Sequence, residues 1–300
     1  MEHVPALFIK SVLCLSSLST VQPVKKLSSL PWSQLAADQM ARRKNWTLCI
    51  EDRTDRFFGI FQNRSVHPID CATLQEFARK DPTENQITGI ALGKPEHMIV
   101  WPVGVPSQWA ELINGRDIKS FARRIFPRIN YGALDLLTLK VVDSIGLHSA
   151  ILHHLADKHP WIKCLKLTYE GPASTVLLRR LVQKNVIRSM YIYGGWPPQS
   201  TAPLVEALIP QRQLRKLHCC VRMRLSESFL TSLVADWCDD NSPEEKEVII
   251  WGLQTLPLDN GVYRHMNLKD KLEVDVNSRF IRLQFSRFIN HSVKLCRIIM

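Results

Sequence analysis

Ile162-Lys163-Cys164-Leu165-Lys166-Leu167, Ile187-Arg188-Ser189-Met190-Tyr191-Ile192 and Leu214-Arg215-Lys216-Leu217-His218-Cys219 share one pattern, apolar-x-x-apolar-x-apolar. An earlier copy runs from Leu134 through Leu137 to Leu139, and the four starts are 28, 25 and 27 residues apart. The last three positions of each string alternate, which is the period of a half-buried strand. Each string is followed, 15 to 17 residues after its start, by an apolar quartet at helical spacing. The quartets are Ile151-Leu152-Leu155-Ala156, Leu177-Leu178-Leu181-Val182, Leu204-Val205-Leu208-Ile209 and Phe229-Leu230-Leu233-Val234.

A strand and a helix recurring at this period predict an α/β fold built as a leucine-rich-repeat-like solenoid, in which neighbouring units bury each other. The usual repeat has an asparagine three residues after the last apolar position. Val142, Glu170, Gly195 and Arg222 stand there instead, so the stack is expected to be irregular. Val248-Ile249-Ile250-Trp251 reads as the start of a degenerate fifth unit. Alternation over Leu272 to Val276 and Phe280 to Phe285 predicts strands that cap the stack, a need common to solenoids. Residues 129–300 are therefore expected to form the repeat region with a C-terminal β cap.

Upstream, residues 46–128 read as a mixed β/α connecting region. Trp46 to Ile50, Phe57 to Phe61, Thr88 to Leu92 and His97 to Trp101 are strand-like, and Cys71 to Lys80 helical. Residues 1–45 read as a small helical unit. Pro5 suits a first helical turn, after which Phe8, Ile9, Val12 and Leu13 fall on one face. Val21, Val24 and Leu27 suggest a second helix. Ser29 is placed to cap a third, carrying the stripe Trp32, Leu35, Ala36 and Met40.

Of the 300 residues, 45% are hydrophobic and 22% charged, which suits globular domains and argues against disorder. A formal net charge of +11 favours anionic partners without choosing among them. The eight cysteines are scattered with no CxxC, as expected of free thiols in a reducing compartment, here the cytoplasm or nucleus. No stretch reaches the ~18 apolar residues of a membrane span. The first twenty residues lack a basic start and are interrupted by Lys10, so they do not read as a signal peptide. There is no GxSxG, no phosphate-cradling glycine loop and no HExxH, so no enzyme activity or cofactor is expected. His148, His153, His154 and His159, and His218-Cys219-Cys220 with Cys238, lack convergent ligand spacing, so no metal site is expected.

Val4-Pro5, the apolar residues Phe8, Ile9, Val12 and Leu13, the central Leu27, and Trp32 with Leu35-Ala36 together resemble an F-box. The opening through Phe8 resembles a large nematode family of F-box-like proteins that continue into irregular leucine-rich repeats. Two departures stand out: Val-Pro replaces the usual Leu-Pro, and the segment between the first two helices is rich in Ser and Leu. The resemblance implies an intracellular substrate receptor of a cullin-type ubiquitin ligase. Val4, Pro5, Phe8, Ile9, Leu13 and Trp32 would then dock a Skp-type adaptor, and the repeats would capture a protein substrate.

The repeat register itself suggests where a partner sits. The residue between the last two apolar positions points to the opposite strand face, giving an outward row of Lys166, Tyr191 and His218, with Thr168 and Tyr193 two residues on. Lys163, Arg188 and Arg215 share a register one residue after the first apolar position. They are exposed if the strand proper begins after them, and the combined surface would then favour an acidic partner. The alternative is a nucleic-acid or anionic-ligand binder using this basic face, also suggested by Arg123-Arg124 and Arg212 to Lys216.

Overall fold

A computed structural model describes residues 4–16, 18–53, 56–63, 69–94, 111–113, 117–140, 146–252, 259–287 and 297–298. Among the positions singled out from sequence, the expected strand His97 to Trp101, Val142 and Cys296 lie outside the described residues. The chain divides into two compact units, residues 1–163 and 164–300.

The first unit opens with α1 (Ala6–Leu15), α2 (Leu18–Val24) and α3 (Leu30–Arg42). Ile9, Leu13, Val21 and Ala36 are enclosed between them, with Val4, Val24, Trp32, Leu35 and Met40 packed around. Pro5 stands just before α1 rather than inside its first turn, where its φ of −59° leads into the helix. Ser29 occupies the N-cap of α3 as expected, yet its hydroxyl makes no capping bond.

The carbonyl of Cys14, near the end of α1, accepts from Gln86 Nε2 at 2.8 Å and from Asn130 Nδ2 at 2.9 Å. Asn130 Nδ2 also donates to Gln86 Oε1 at 2.7 Å, and its Oδ1 accepts from the Ala133 N–H at 3.1 Å. Both side chains are buried. This knot satisfies an orphan helix carbonyl while tying α1 to the strands. Asn130→Ala would strand buried partners, so a loss of about 1–3 kcal/mol is expected in urea unfolding.

The strands of this unit are β1 (Lys44–Arg53), β2 (Arg56–Asn63), β3 (Asp70–Ala72), β4 (Asn85–Gly93), β5 (Glu111–Ile113) and β6 (Leu136–Lys140). β1 and β2 form an antiparallel hairpin, while β1, β4 and β6 run parallel. β3 and β5 each pair antiparallel with β2. The helices α4 (Leu74–Arg79), α5 (Ile118–Ile125) and α6 (Leu147–Asp157) complete the unit. α4 is shorter than the Cys71 to Lys80 helix expected. Cys71 belongs to β3, and a reciprocal capping box between Thr73 and Glu76 fixes the helix start. Phe77 of α4 stacks on Phe61 at 3.8 Å and meets Trp46 edge-on at 5.6 Å.

In the second unit strands and helices alternate: β7 (Cys164–Thr168), α7 (Pro172–Gln183), β8 (Ser189–Tyr193), α8 (Pro198–Leu208), β9 (Lys216–Cys219), α9 (Glu227–Asp239) and β10 (Lys246–Trp251). β7, β8, β9 and β10 are parallel neighbours in that order. Leu165, Met190, Leu217 and Val248 are register partners in succession, and all four are buried. Leu167, Ile192, Cys219 and Ile250 make a second such row. Every one of the twelve apolar positions in the four repeat strings is 0% exposed. Burial of one such side chain stabilises by roughly 1.5–3 kcal/mol. Backbone bonding between neighbouring units continues just beyond the strand ends. Tyr169 N–H donates to the Tyr193 carbonyl and Cys220 N–H to the Ile192 carbonyl, both at 3.0 Å.

The C-terminal strands are β11 (Gly261–Arg264), β12 (Asp270–Val276), β13 (Phe280–Arg287) and β14 (Arg297–Ile298). β13 pairs antiparallel with β10, and β12 and β11 follow antiparallel in turn. They continue the sheet sideways, and among the described residues no strand lies across its outward face. The protein is thus α/β: N-terminal helices, then mostly parallel strands with alternating helices in the leucine-rich-repeat-like manner.

Candidate functional site

Alternation along β7, β8 and β9 puts Lys166, Tyr191 and His218 in one cross-strand row. Lys166 Nζ lies 5.2 Å from the Tyr191 ring centre, and the Tyr191 and His218 rings are 4.6 Å apart. The row continues through Ile249 and Arg282 to Asp275. Tyr193 is half-buried beside it, whereas Thr168, expected to share the outward face, is buried. Burial pushes its phenol up to about 12, with Cys220 and Tyr191 adding to the rise, so it remains a neutral hydroxyl.

Glu247 interrupts this surface as an acidic hub. Its carboxylate sits 3.3 Å from His218 Nε2 and 2.8 Å from Arg282 Nη2. Burial alone would raise its pKa. The hydrogen bonds from His218 and Arg282, with the Arg282 charge, outweigh burial and hold it below the usual glutamate value. A depressed carboxyl pKa stabilises the fold above the unfolded value, and that contribution disappears as pH falls through the folded one. Thermal melts taken downward from about pH 5.5 should therefore fall more steeply for the native chain than for Glu247→Gln.

Lys163, Arg188 and Arg215 immediately precede β7, β8 and β9, so they stand at leading edges outside the strands. Lys163 Nζ is 2.7 Å from Asp135, and Arg215 Nη2 is 2.9 Å from Glu244. Arg188 is exposed and has no ion pair among the described residues. The expected basic edge is thus largely neutralised by the chain's own carboxylates.

At the N-terminus the expected single apolar face of α1 splits in two. Ile9 and Leu13 turn into the helical core, so their side chains are enclosed and offer a partner no surface. Val4 and Trp32 are half-buried against that core, and Pro5 is exposed. Phe8 and Val12, four apart and one position round the helix, face outward with Leu7 beside them. Phe8 is 57% exposed and Leu7 78%. Leu7 also borders a groove of about 840 Å³ between α1 and α3, which Cys14, Leu35 and Gln39 help line.

Sequence reasoning passed over Leu7, and also over a second cavity. Arg222, Arg224, Trp251 and Arg279 line an open cleft of about 810 Å³ in the second unit. Its signal was present: from Val221 to Ser226 apolar and polar residues alternate strictly.

No family model, no curated protein and no solved structure matches the chain. Among the described residues no three His, Cys, Asp or Glu side chains could jointly hold a metal ion, and no helix is long and apolar enough to cross a membrane. His154 of the histidine cluster bonds the Tyr131 hydroxyl at 2.6 Å and stacks on Phe126. Cys14, Cys49, Cys71, Cys164, Cys219, Cys220 and Cys238 are free thiols.

Proposed function

We propose that this chain is a non-catalytic interaction protein, an F-box-like substrate receptor. Its N-terminal helices would dock a Skp-type adaptor of a cullin-type ubiquitin ligase, and its repeat sheet would hold the protein to be modified. The observation that carries this reading is the apolar outer side of α1. Leu7, Phe8 and Val12 stay exposed although the unit's own core closes without them. Apolar surface left over on a closed helical unit favours a partner. The aromatic row on the sheet supports the second half, since tyrosine supplies contact area with a polar tip. In this reading the chain needs no cofactor and works in the cytoplasm or nucleus.

The nucleic-acid alternative draws on the net charge, but Lys163 and Arg215 on the basic edge already hold carboxylates. Retention on a polyanion column across a salt gradient separates the two. The direct test is affinity purification of the full chain, probing for adaptor and cullin subunits. Phe8→Asp is expected to reduce adaptor recovery at least tenfold, as for a central interface anchor. Equal recovery by both chains, or none by the native chain, removes the adaptor role.

A further inference from the structure

After β9 the chain stays extended, with Val221, Met223 and Leu225 buried and Arg222 and Arg224 exposed between them. Period-2 alternation sends the two arginines to one side. Arg279, in the turn between β12 and β13, and Trp251, the last residue of β10, line the same open cleft of about 810 Å³. Backbone bonds hold its walls together. Met223 N–H donates to the Trp251 carbonyl at 3.2 Å, and Gly252 N–H to the Arg279 carbonyl at 2.8 Å. Gly252 has φ +126°, and a Cβ there would lie 2.9 Å from the Met223 carbonyl oxygen, so the close approach requires glycine.

Among the described residues the charges in this cleft are uncompensated. Arg212, Arg215, Arg282 and Arg287 of the same unit each hold a carboxylate. Among the described residues the side chains of Arg222, Arg224 and Arg279 have no ion pair or hydrogen bond, and no Asp or Glu lines the cleft. Three guanidiniums around one opening repel one another, and an anion between them relieves that repulsion. Their planar forks match the oxygens of a phosphoryl group. The cleft has the volume of a small-ligand site, far more than a bare phosphate fills. Trp251, 41% exposed, offers an aromatic wall to whatever the phosphate is attached to.

We infer that this cleft binds a phosphomonoester carried on an organic body that lies against Trp251. A mononucleotide and a phosphorylated side chain present the same dianionic chemistry, so both serve as probes. The inference does not depend on adaptor docking by α1.

Calorimetric titration of the full chain at low salt uses AMP, adenosine, a phosphotyrosine peptide, its unphosphorylated form and inorganic phosphate. At least one phosphorylated probe is expected to bind tenfold or more tightly than both its unphosphorylated counterpart and inorganic phosphate. The probe that does so identifies the source. Arg224→Gln and Arg279→Gln should each weaken that binding roughly tenfold, as for a lost charge-assisted bond. Trp251→Ala should weaken the organic phosphate and leave inorganic phosphate unchanged. Binding that ignores the phosphoryl group, that is matched by inorganic phosphate, or that survives both arginine changes overturns the inference. The comparison among probes on the native chain decides this even if a variant folds poorly.

Discussion

Leu217→Ala is expected to cost about 2–5 kcal/mol of stability, the range for a large-to-small change in a closed core. Leu217 has Met190 on one side and Val248 on the other, all three buried, so the neighbours have little room to collapse into the space. His218, the next residue, lies on the opposite strand face and is only partly buried. His218→Ala should therefore cost much less, within about 1 kcal/mol. Urea unfolding followed by circular dichroism measures both. A Leu217→Ala loss no larger than that of His218→Ala would mean the apolar row is not the core that organises these strands.

Ile9→Asp should be as damaging at the other end of the chain. The carboxylate would enter a cluster of Leu13, Val21 and Ala36 with no cation in it. An unpaired buried charge costs several kcal/mol even after its pKa adjusts, enough to open a three-helix unit. Phe8→Asp places the same group one residue away, on the exposed side, and should change stability by no more than about 0.5 kcal/mol. Hydrogen exchange over residues 6–42 separates the two: protection should vanish in the first and persist in the second. Similar protection in both would refute the division of α1 into inner and outer faces.

Much of the architecture was legible because one pattern recurred. The apolar positions of the four strings, spaced as strand and helix demand, are all enclosed. The faces of α1 were not legible, because Leu7, Phe8, Ile9, Val12 and Leu13 spread around so much of the helix that periodicity cannot fix its rotation. Only the positions of α2 and α3 decide which of them turn inward. The pairing of the basic edge was half legible. Asp135 holds in its string the place that Lys163, Arg188 and Arg215 hold in theirs, and Asp135 is the residue Lys163 meets. Arg215 finds its partner Glu244 in the loop before β10, a contact that depends on tertiary structure. The arginine cleft needed both kinds of knowledge: alternation after Cys219 exposes two of its arginines, and the β12–β13 turn brings the third.

β10 faces two ways: it runs parallel to β9 on one side and antiparallel to β13 on the other. That reversal makes it the junction between a parallel and an antiparallel ladder. A copied strand–helix segment inserted between β8 and β9 meets neighbours running in its own direction and inherits their hydrogen-bond ladder. The same segment inserted after β10 would come between β10 and β13 and part Glu247 from Arg282. A change in copy number before β10 therefore leaves that junction and the C-terminal meander as they are, whereas one after β10 breaks the pairing of β10 with β13.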